Sequence, residues 1–399
     1  MILLHTADWH LGQTFYEYDR KAEHLYFLAW LRTQIRALQA DVLLIAGDVF
    51  DSPNPPAESQ KMFYRFLREA TSEHPPLQIV IIAGNHDSAA RLEAPDPLLE
   101  EMHVHIRGTV RRTPDGAIDA SRLLIPLTEN GRTAAWCIAA PYLRQGDCPP
   151  ADSYVERVGK MYRTLYMAIP DRTLPVVAMG HLQAAGSEIS RHDRSEYALV
   201  GGLECVSPDA FPPEIAYTAL GHLHRAQRVS GRDNVRYAGA PLPMSFAERE
   251  YRQGVTLVEL REGKTRVERI DFQPLVGLLS IPQTPLRLAD VLYAIDLLPD
   301  GEITPRSPYL EINVMITEPE PSLRHRIEEA LQGKSVRLAR IAAVTPQQKN
   351  EPETVSCEQL QTIHPMDMAT DVFRRRFGGE DMPGEMRELL QTVIREVGS

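Results

Sequence analysis

Five short apolar runs share one design, and they constrain the fold more than any other feature of the chain. Each is aliphatic or β-branched, closes on small residues and then meets side chains able to bind metal. They are Ile2-Leu3-Leu4-His5-Thr6-Ala7-Asp8, Asp41-Val42-Leu43-Leu44-Ile45-Ala46-Gly47-Asp48, Ile79-Val80-Ile81-Ile82-Ala83-Gly84-Asn85, Val176-Val177-Ala178-Met179-Gly180-His181 and Ala216-Tyr217-Thr218-Ala219-Leu220-Gly221-His222. Continuous apolar runs of this length predict strands buried on both faces. Between the first three lie helical patterns, with Leu25, Leu28, Leu31, Ile35 and Leu38 on one face and Phe63, Phe66 and Leu67 on another. Strand–helix–strand alternation predicts an α/β sheet, with the chemistry in the loops at the carboxyl ends of its strands.

Seven ligand-type residues fall at those ends: Asp8, His10, Asp48, Asn85, His181, His222 and His224. Asp8-x-His10 and His222-x-His224 are i, i+2 pairs, which an extended chain aims the same way. Seven ligands exceed one tetrahedral ion. With one carboxylate shared, they suit two ions of four protein ligands each. The donors are oxygen and imidazole without sulfur, which favours Mn²⁺, Fe²⁺ or Zn²⁺ over a structural thiolate site. Two divalent ions bring four positive charges, and two aspartates with one hydroxide take back three. Such a centre attracts an anion, which fits phosphate-ester chemistry. Two metals ~3.5–4 Å apart activate water and clamp phosphate oxygens during in-line attack. His86 is left over beside Asn85. It is expected to protonate the leaving oxygen, with Asp87 as the group that orients it. A lone His at a strand end is usually only hydrogen-bonded, and that reading is kept for His5, His24, His74, His103, His105, His192, His325 and His364. Seven ligand types in one shared context are a different signal.

At 399 residues the chain suggests two or three domains. Ordinary hydrophobic (43%) and charged (24%) fractions exclude a collagen-like or wholly disordered chain. Residues 1–275 carry the five runs. From about 276 to 345 the pattern changes. It shows an alternating strand (Leu310, Ile312, Val314, Ile316), a helix capped by Ser322 with Leu323, Ile327 and Leu331 on one face, and a strand from Ser335 to Ile341. This predicts a small α+β domain. A polar linker over 346–356 precedes a tail, 357–399, of two amphipathic helices. The first shows Ala369, Val372, Phe373 and Phe377 and stops at Gly378-Gly379. The second starts near Pro383 and shows Met386, Leu389, Leu390, Val393 and Val397.

The net charge of −11 excludes nucleic-acid binding through a broad basic surface and leaves a local patch or a metal site. Cys137, Cys148, Cys205 and Cys357 form no CxxC pair, which argues against a disulfide scaffold and fits a reducing, cytoplasmic setting. No apolar run approaches a membrane span, and the N-terminus does not read as a signal peptide. Gly263-Lys264-Thr265 and Gly333-Lys334-Ser335 lack the P-loop glycine five positions earlier, where Val258 and Glu328 stand. No nucleotide is expected on this chain, so an ATP requirement would fall to a partner.

The motifs resemble the calcineurin-like metallophosphoesterase signature: Asp8 and His10, Gly47-Asp48, Gly84-Asn85-His86-Asp87, Gly180-His181, and Gly221 to His224. HTADWHLGQTFY, AGDVFD, AGNHDSAARLE, ALGHLHRAQ and YAGAPLPMSF are similar to the bacterial SbcD family, nuclease subunits related to the eukaryotic and archaeal double-strand-break repair nuclease. That resemblance implies a β-sandwich flanked by helices, a capping domain and a helical tail. It implies one metal on Asp8, His10, Asp48 and His224, and another on Asp48, Asn85, His181 and His222. It further implies Mn²⁺-dependent 3′→5′ exonuclease and hairpin or single-strand endonuclease activity in DNA repair and recombination, a coiled-coil SbcC-type ATPase partner and a homodimer. Some relatives carry His where this chain has Asp51, so a role for that His does not transfer. Candidate DNA contacts near the site are Gln13, Thr14, Tyr16, Arg91, Arg191 and Arg194. The competing readings are a small-molecule phosphodiesterase or phosphatase on the same core, and a non-catalytic DNA-end scaffold. The tail, with 10 acidic and 5 basic residues over 351–399, is expected to grip a partner rather than DNA.

Overall fold

A computed structural model describes residues 1–190, 205–261, 263–317, 320–345, 354–356, 366, 369–370, 373–374 and 381–397. All five apolar runs form strands: Ile2–Thr6, Val42–Ala46, Gln78–Ile82, Val176–His181 and Tyr217–Gly221. They divide between two six-stranded sheets. The first runs Lys264–Asp271, Gly254–Arg261, Ile2–Thr6, Val42–Ala46, Gln78–Ile82, Val104–Arg107 in hydrogen-bonded order, with Ile2–Thr6 parallel to Val42–Ala46 and Val42–Ala46 to Gln78–Ile82. The second runs Gln227–Val229, Arg232–Tyr237, Tyr217–Gly221, Val176–His181, Arg132–Ala139, Leu124–Glu129, with Tyr217–Gly221 and Val176–His181 parallel.

Alternate side chains explain why the runs are apolar throughout. Leu3, Val42, Leu44 and Val80 of the first sheet meet Ile125, Cys137, Val177, Met179 and Tyr217 of the second in one core. Leu4, Leu43, Ile45, Ile79 and Ile81 face outward onto the helices Lys21–Leu38 and Ala57–Glu73. Ile138, Val176, Ala178 and Leu220 do the same against Met161, Tyr162 and Leu165 of the helix Tyr154–Met167. This is a sandwich with helices on both outer faces, as the resemblance implies. The expected face of the first helix needs one correction. Its buried residues include His24, Phe27, Leu28, Leu31 and Ile35, while Leu25 is exposed, about 100° off that stripe.

The last strand of the first sheet ends at Asp271, and a three-stranded parallel sheet then begins: Leu278–Leu286, Tyr309–Met315, Arg337–Val344. Helices Leu288–Asp296 and Leu323–Ala330 cover one face, where Val291, Ile295 and Ile327 meet Leu310, Ile312 and Val314. The first strand and helix of this unit were not expected, because Pro282 and Pro285 make their segment read as a loop. The unit is seated on the sandwich. Tyr309, on the opposite face, packs with Phe15, Phe246 and Val276, and its hydroxyl donates to Glu23 Oε1 at 2.8 Å.

Thr354–Ser356, read from sequence as linker, is a strand paired with Glu188–Ser190. The second tail helix is present as Gly384–Val397. Most of the linker and of the first tail helix, including Val372, Phe377, Gly378 and Gly379, lies outside the described residues, as do Arg191 and Arg194. Cys137 and Cys148 are free, but Cys205 is disulfide-bonded, so the reduced state expected for the cysteines does not extend to it. Among the described residues no helix is long and apolar enough to cross a membrane.

Candidate metal centre

The strand ends of the two sheets meet at one edge of the sandwich and are stitched together there. Asp8 and His10 donate their backbone N–H to the Gly47 and Asp48 carbonyls, both at 3.0 Å, locking the first loop to the second. His222 N donates to Asp8 Oδ1 at 2.9 Å, and His181 Nδ1 lies 2.9 Å from the Ala46 carbonyl. Those two bonds cross from one sheet to the other.

Convergence does not arise from strand pleating, as the i, i+2 spacing suggested. Ile2–Thr6 and Tyr217–Gly221 have ended before the ligands begin. Asp8 (φ 55°), His10 (φ 45°), Asp48 (φ 50°) and His222 (φ 105°) all sit at positive φ. Such backbone is uncommon for residues other than glycine and costs free energy that the surrounding bonds must offset. The turns, not an extended chain, aim these side chains.

Asp48 lies at the centre. His181 Nε2 is 3.3 Å from its Oδ2 and His10 Nε2 is 3.7 Å from the same oxygen. Its Oδ1 accepts from the His86 backbone N–H at 2.8 Å. Asn85 Oδ1 lies 2.9 Å from His181 Nε2 and 3.1 Å from His222 Nδ1. The His10 and His224 rings lie 5.3 Å apart. The seven residues expected from the sequence are thus brought together, with Asn85 joining His181 and His222, and the His10 ring joining that of His224. His181 Nδ1 faces the Ala46 carbonyl, an acceptor, and so carries a proton; in the neutral ring this leaves the lone pair of Nε2 turned toward Asp48.

Buried atoms without partners are where an ion fits. Asp8 Oδ2, both His10 nitrogens and His222 Nε2 are buried and make no hydrogen bond. His10 Nδ1 lies 3.3 Å from Asp51 Oδ1, without hydrogen-bond geometry. Leaving several polar atoms unsatisfied at one buried site is costly. An oxygen–nitrogen donor set that would be completed by divalent cations accounts for Asp8 Oδ2, His222 Nε2 and one of the His10 nitrogens. Ligand atoms cluster within 4.8 Å as Asp8–Asp48–His181 and as His10–Asp51–His86.

The charges are strongly coupled. Burial raises the Asp8 carboxyl, and the Asp48 charge adds to that. Burial would raise Asp48 as well, but His181, His10 and His86 outweigh it and hold the carboxyl well below its usual range. Burial works against a charged His181, yet Asp48 and Asp8 lift it to about 9. His222 is pushed down to about 3 by burial and by the His181 charge.

His86 sits in a bend, not on an extended segment. Its Nδ1 is 3.1 Å from the Asp51 carbonyl, and its ring is 4.9 Å from that of His10. Among the described hydrogen bonds, Asp87 makes none to the His86 ring. The Asp87 carboxylate accepts from the backbone N–H of Gly84 (2.9 Å), Phe50 (3.0 Å) and Val49 (3.2 Å), and it ties the second loop to the third. The described contact to the His86 ring nitrogen comes from the Asp51 carbonyl. Burial, and next the Asp48 charge, raise the Asp87 carboxyl to about 6.

Sequence reasoning passed over Asp51 as a partner of both histidines. It also missed Glu248, which is fully buried with Oε1 3.2 Å from His224 Nδ1. The signal was an acid two residues beyond the YAGAPLPMSF match. Of the candidate DNA contacts, Gln13 is engaged internally, accepting from Arg20 at 2.9 Å. Thr14 and Tyr16 are exposed near the first loop. Arg91 is exposed and donates to Asn54.

A family model described as calcineurin-like phosphoesterase matches residues 1–226. A second, described as type 5 capsule protein repressor C-terminal domain, matches residues 274–378. The chain is 40% identical to the SbcD subunit of nuclease SbcCD from Rhodobacter capsulatus over 364 residues, covering 87% of this chain and 88% of that one. It is 28% identical to the Escherichia coli K12 protein of the same name, covering 99% and 97%. The Bacillus subtilis counterpart is 34% identical over 274 residues, covering 66% and 67%.

Proposed function

The chain belongs to the calcineurin-like phosphoesterase family and, within it, to the SbcD nuclease subunits of SbcCD, and from that premise we propose that its buried centre hydrolyses DNA phosphodiesters with two divalent metals, acting with an SbcC-type ATPase. The observation that carries the proposal is the set of unpartnered ligand atoms on Asp8, His10 and His222 around the shared Asp48. Asp8, His10, Asp48 and His224 would hold one ion, and Asp48, Asn85, His181 and His222 the other. Mn²⁺ is the proposed metal. When bound, such ions supply activated water and neutralise phosphate oxygens.

The chain's own residues do the rest. Asp48 faces both ligand groups and sets their separation. The Ala46 carbonyl fixes the His181 ring. His86, anchored through Nδ1, presents Nε2 to the leaving oxygen as general acid, and the Asp51 carbonyl holds it in line. The proposed activities are 3′→5′ exonuclease on duplex ends and endonuclease on hairpins and single strands. Gln13, Thr14, Tyr16, Arg91, Arg191 and Arg194 remain the proposed DNA contacts. Homodimerisation, which the resemblance implies, is part of the proposal, and light scattering of the full chain tests it. For the activity, hairpin DNA and p-nitrophenyl phosphate esters are compared as substrates with Mn²⁺. Hairpin cleavage is expected. Turnover of the esters alone would overturn the assignment in favour of a small-molecule phosphodiesterase.

A further inference from the structure

We propose that Glu248 is a positioning residue that selects the metal-binding tautomer of His224; this rests on the two-metal reading of the centre and deepens it. Glu248 lies in a single 3-10 turn, Phe246–Glu248, in the loop whose Ala240 N–H donates to the His224 carbonyl at 3.0 Å. Its carboxylate is fully buried. Oε2 accepts from Met244 N at 2.9 Å, and Oε1 lies 3.2 Å from His224 Nδ1. A carboxylate accepts and does not donate. It therefore keeps the proton of a neutral His224 on Nδ1 and leaves Nε2 with its lone pair for a cation. Carboxylate-to-imidazole contacts of this kind fix ring orientation and raise ligand basicity.

The loop is fixed well enough to aim such a contact. Arg20, itself buried, donates to the Pro243 carbonyl at 2.7 Å and grips Glu23 through two bonds, at 2.9 and 3.2 Å. Glu23 also accepts from Tyr309 of the small domain. Phe246 is wedged beside Phe15, with ring centroids 5.3 Å apart. Both domains thus clamp the turn that carries Glu248.

Glu248→Gln nearly preserves shape but frustrates the pattern. If the amide oxygen serves Met244 N–H, the amide NH₂ faces His224 Nδ1. The ring must then move its proton to Nε2, the nitrogen a metal needs. The experiment uses the full chain as wild type, Glu248→Gln and His224→Ala. It combines Mn²⁺ titration by paramagnetic resonance, ¹⁵N NMR of the histidine tautomers in the metal-free protein, and thermal melts. Glu248→Gln should weaken one of two Mn²⁺ equivalents by about 10–100-fold and shift His224 to the Nε2-protonated form. Hairpin cleavage should recover at high Mn²⁺. A purely structural role would lower the melting temperature without moving the tautomer, and that result overturns the inference. So does wild-type Mn²⁺ affinity in Glu248→Gln when His224→Ala loses an ion. If His224→Ala itself binds both ions normally, the ligand set fails and the inference falls with it.

Discussion

His86 has its Nδ1 turned to the Asp51 carbonyl, so one ring nitrogen is committed to the scaffold and Nε2 is left for the proposed acid role. Its place beside Asn85 is what set it apart from the expected ligands in the sequence. Its anchor was not legible there, because a backbone carbonyl leaves no trace in residue type. Asp51 looked like a gap in a motif, and Asp87 looked like a helper for His86. Only packing shows Asp87 spent on three backbone N–H groups. The seven proposed ligands stood out in the sequence because ligation demands particular side chains. Glu248 did not, since an acid in a loop reads as solvated until it is found buried. As a general acid, His86 should contribute to turnover and little to metal binding. His86→Ala is expected to lower kcat on hairpin DNA by roughly 10²–10⁴-fold, with Mn²⁺ affinity within a few-fold of wild type. Steady-state kinetics with parallel Mn²⁺ titration checks this; a lost ion would make His86 a ligand instead.

At the scale of elements, the strands were readable because burial on both faces demands unbroken apolar runs. The loops that aim these side chains were not, because Asp8, His10, Asp48 and His222 sit at positive φ, in loops joined by hydrogen bonds between segments distant in sequence rather than by a local preference. Gly47 shows how tight that arrangement is. It sits at φ 91°, and a Cβ there would overlap His181 Nδ1. Gly47→Ala should therefore displace His181 from the Ala46 carbonyl and weaken Mn²⁺ binding by at least tenfold, while the far-ultraviolet circular dichroism stays native. Unchanged affinity would mean that the loops relax more easily than these contacts indicate. The strand Leu278–Leu286 was hidden for another reason. Its two prolines are tolerated at a sheet edge, whereas sequence patterning treats them as breakers.

For the whole molecule, two histidines buried in the sandwich link folding to pH. Burial, and next the Arg269 charge, lower His5 to about 3, and burial with the Arg20 charge does the same for His24. Both lie below the value of about 6.5 expected in the unfolded chain. Between pH 6.5 and 3 the unfolded chain binds protons that the folded one refuses. Stability is thus full above about 6.5 and falls as pH drops toward 3. At pH 4.5 each site costs roughly 2–3 kcal/mol. His5→Gln should show a smaller loss of Tm between pH 7 and 4.5 than wild type; an equal loss would remove His5 from the explanation. The tail acts at this scale too. The helix Gly384–Val397 leaves Met386 and Leu389 exposed, a face suited to a partner's groove. Removing residues 358–399 retains the strand Thr354–Ser356 and should abolish co-purification of the ATPase partner. A partner that still co-purifies would place the docking surface elsewhere.

The proposed chemistry would depend on a pair of ions sharing Asp48. Mn²⁺ titration of wild type and Asp48→Ala, with anomalous diffraction from Mn²⁺-soaked crystals, addresses that directly. Two Mn²⁺ ions flanking Asp48 in wild type, and loss of both from Asp48→Ala, is the predicted result. A single ion, or a pair with Asp48 bound to neither, would contradict it.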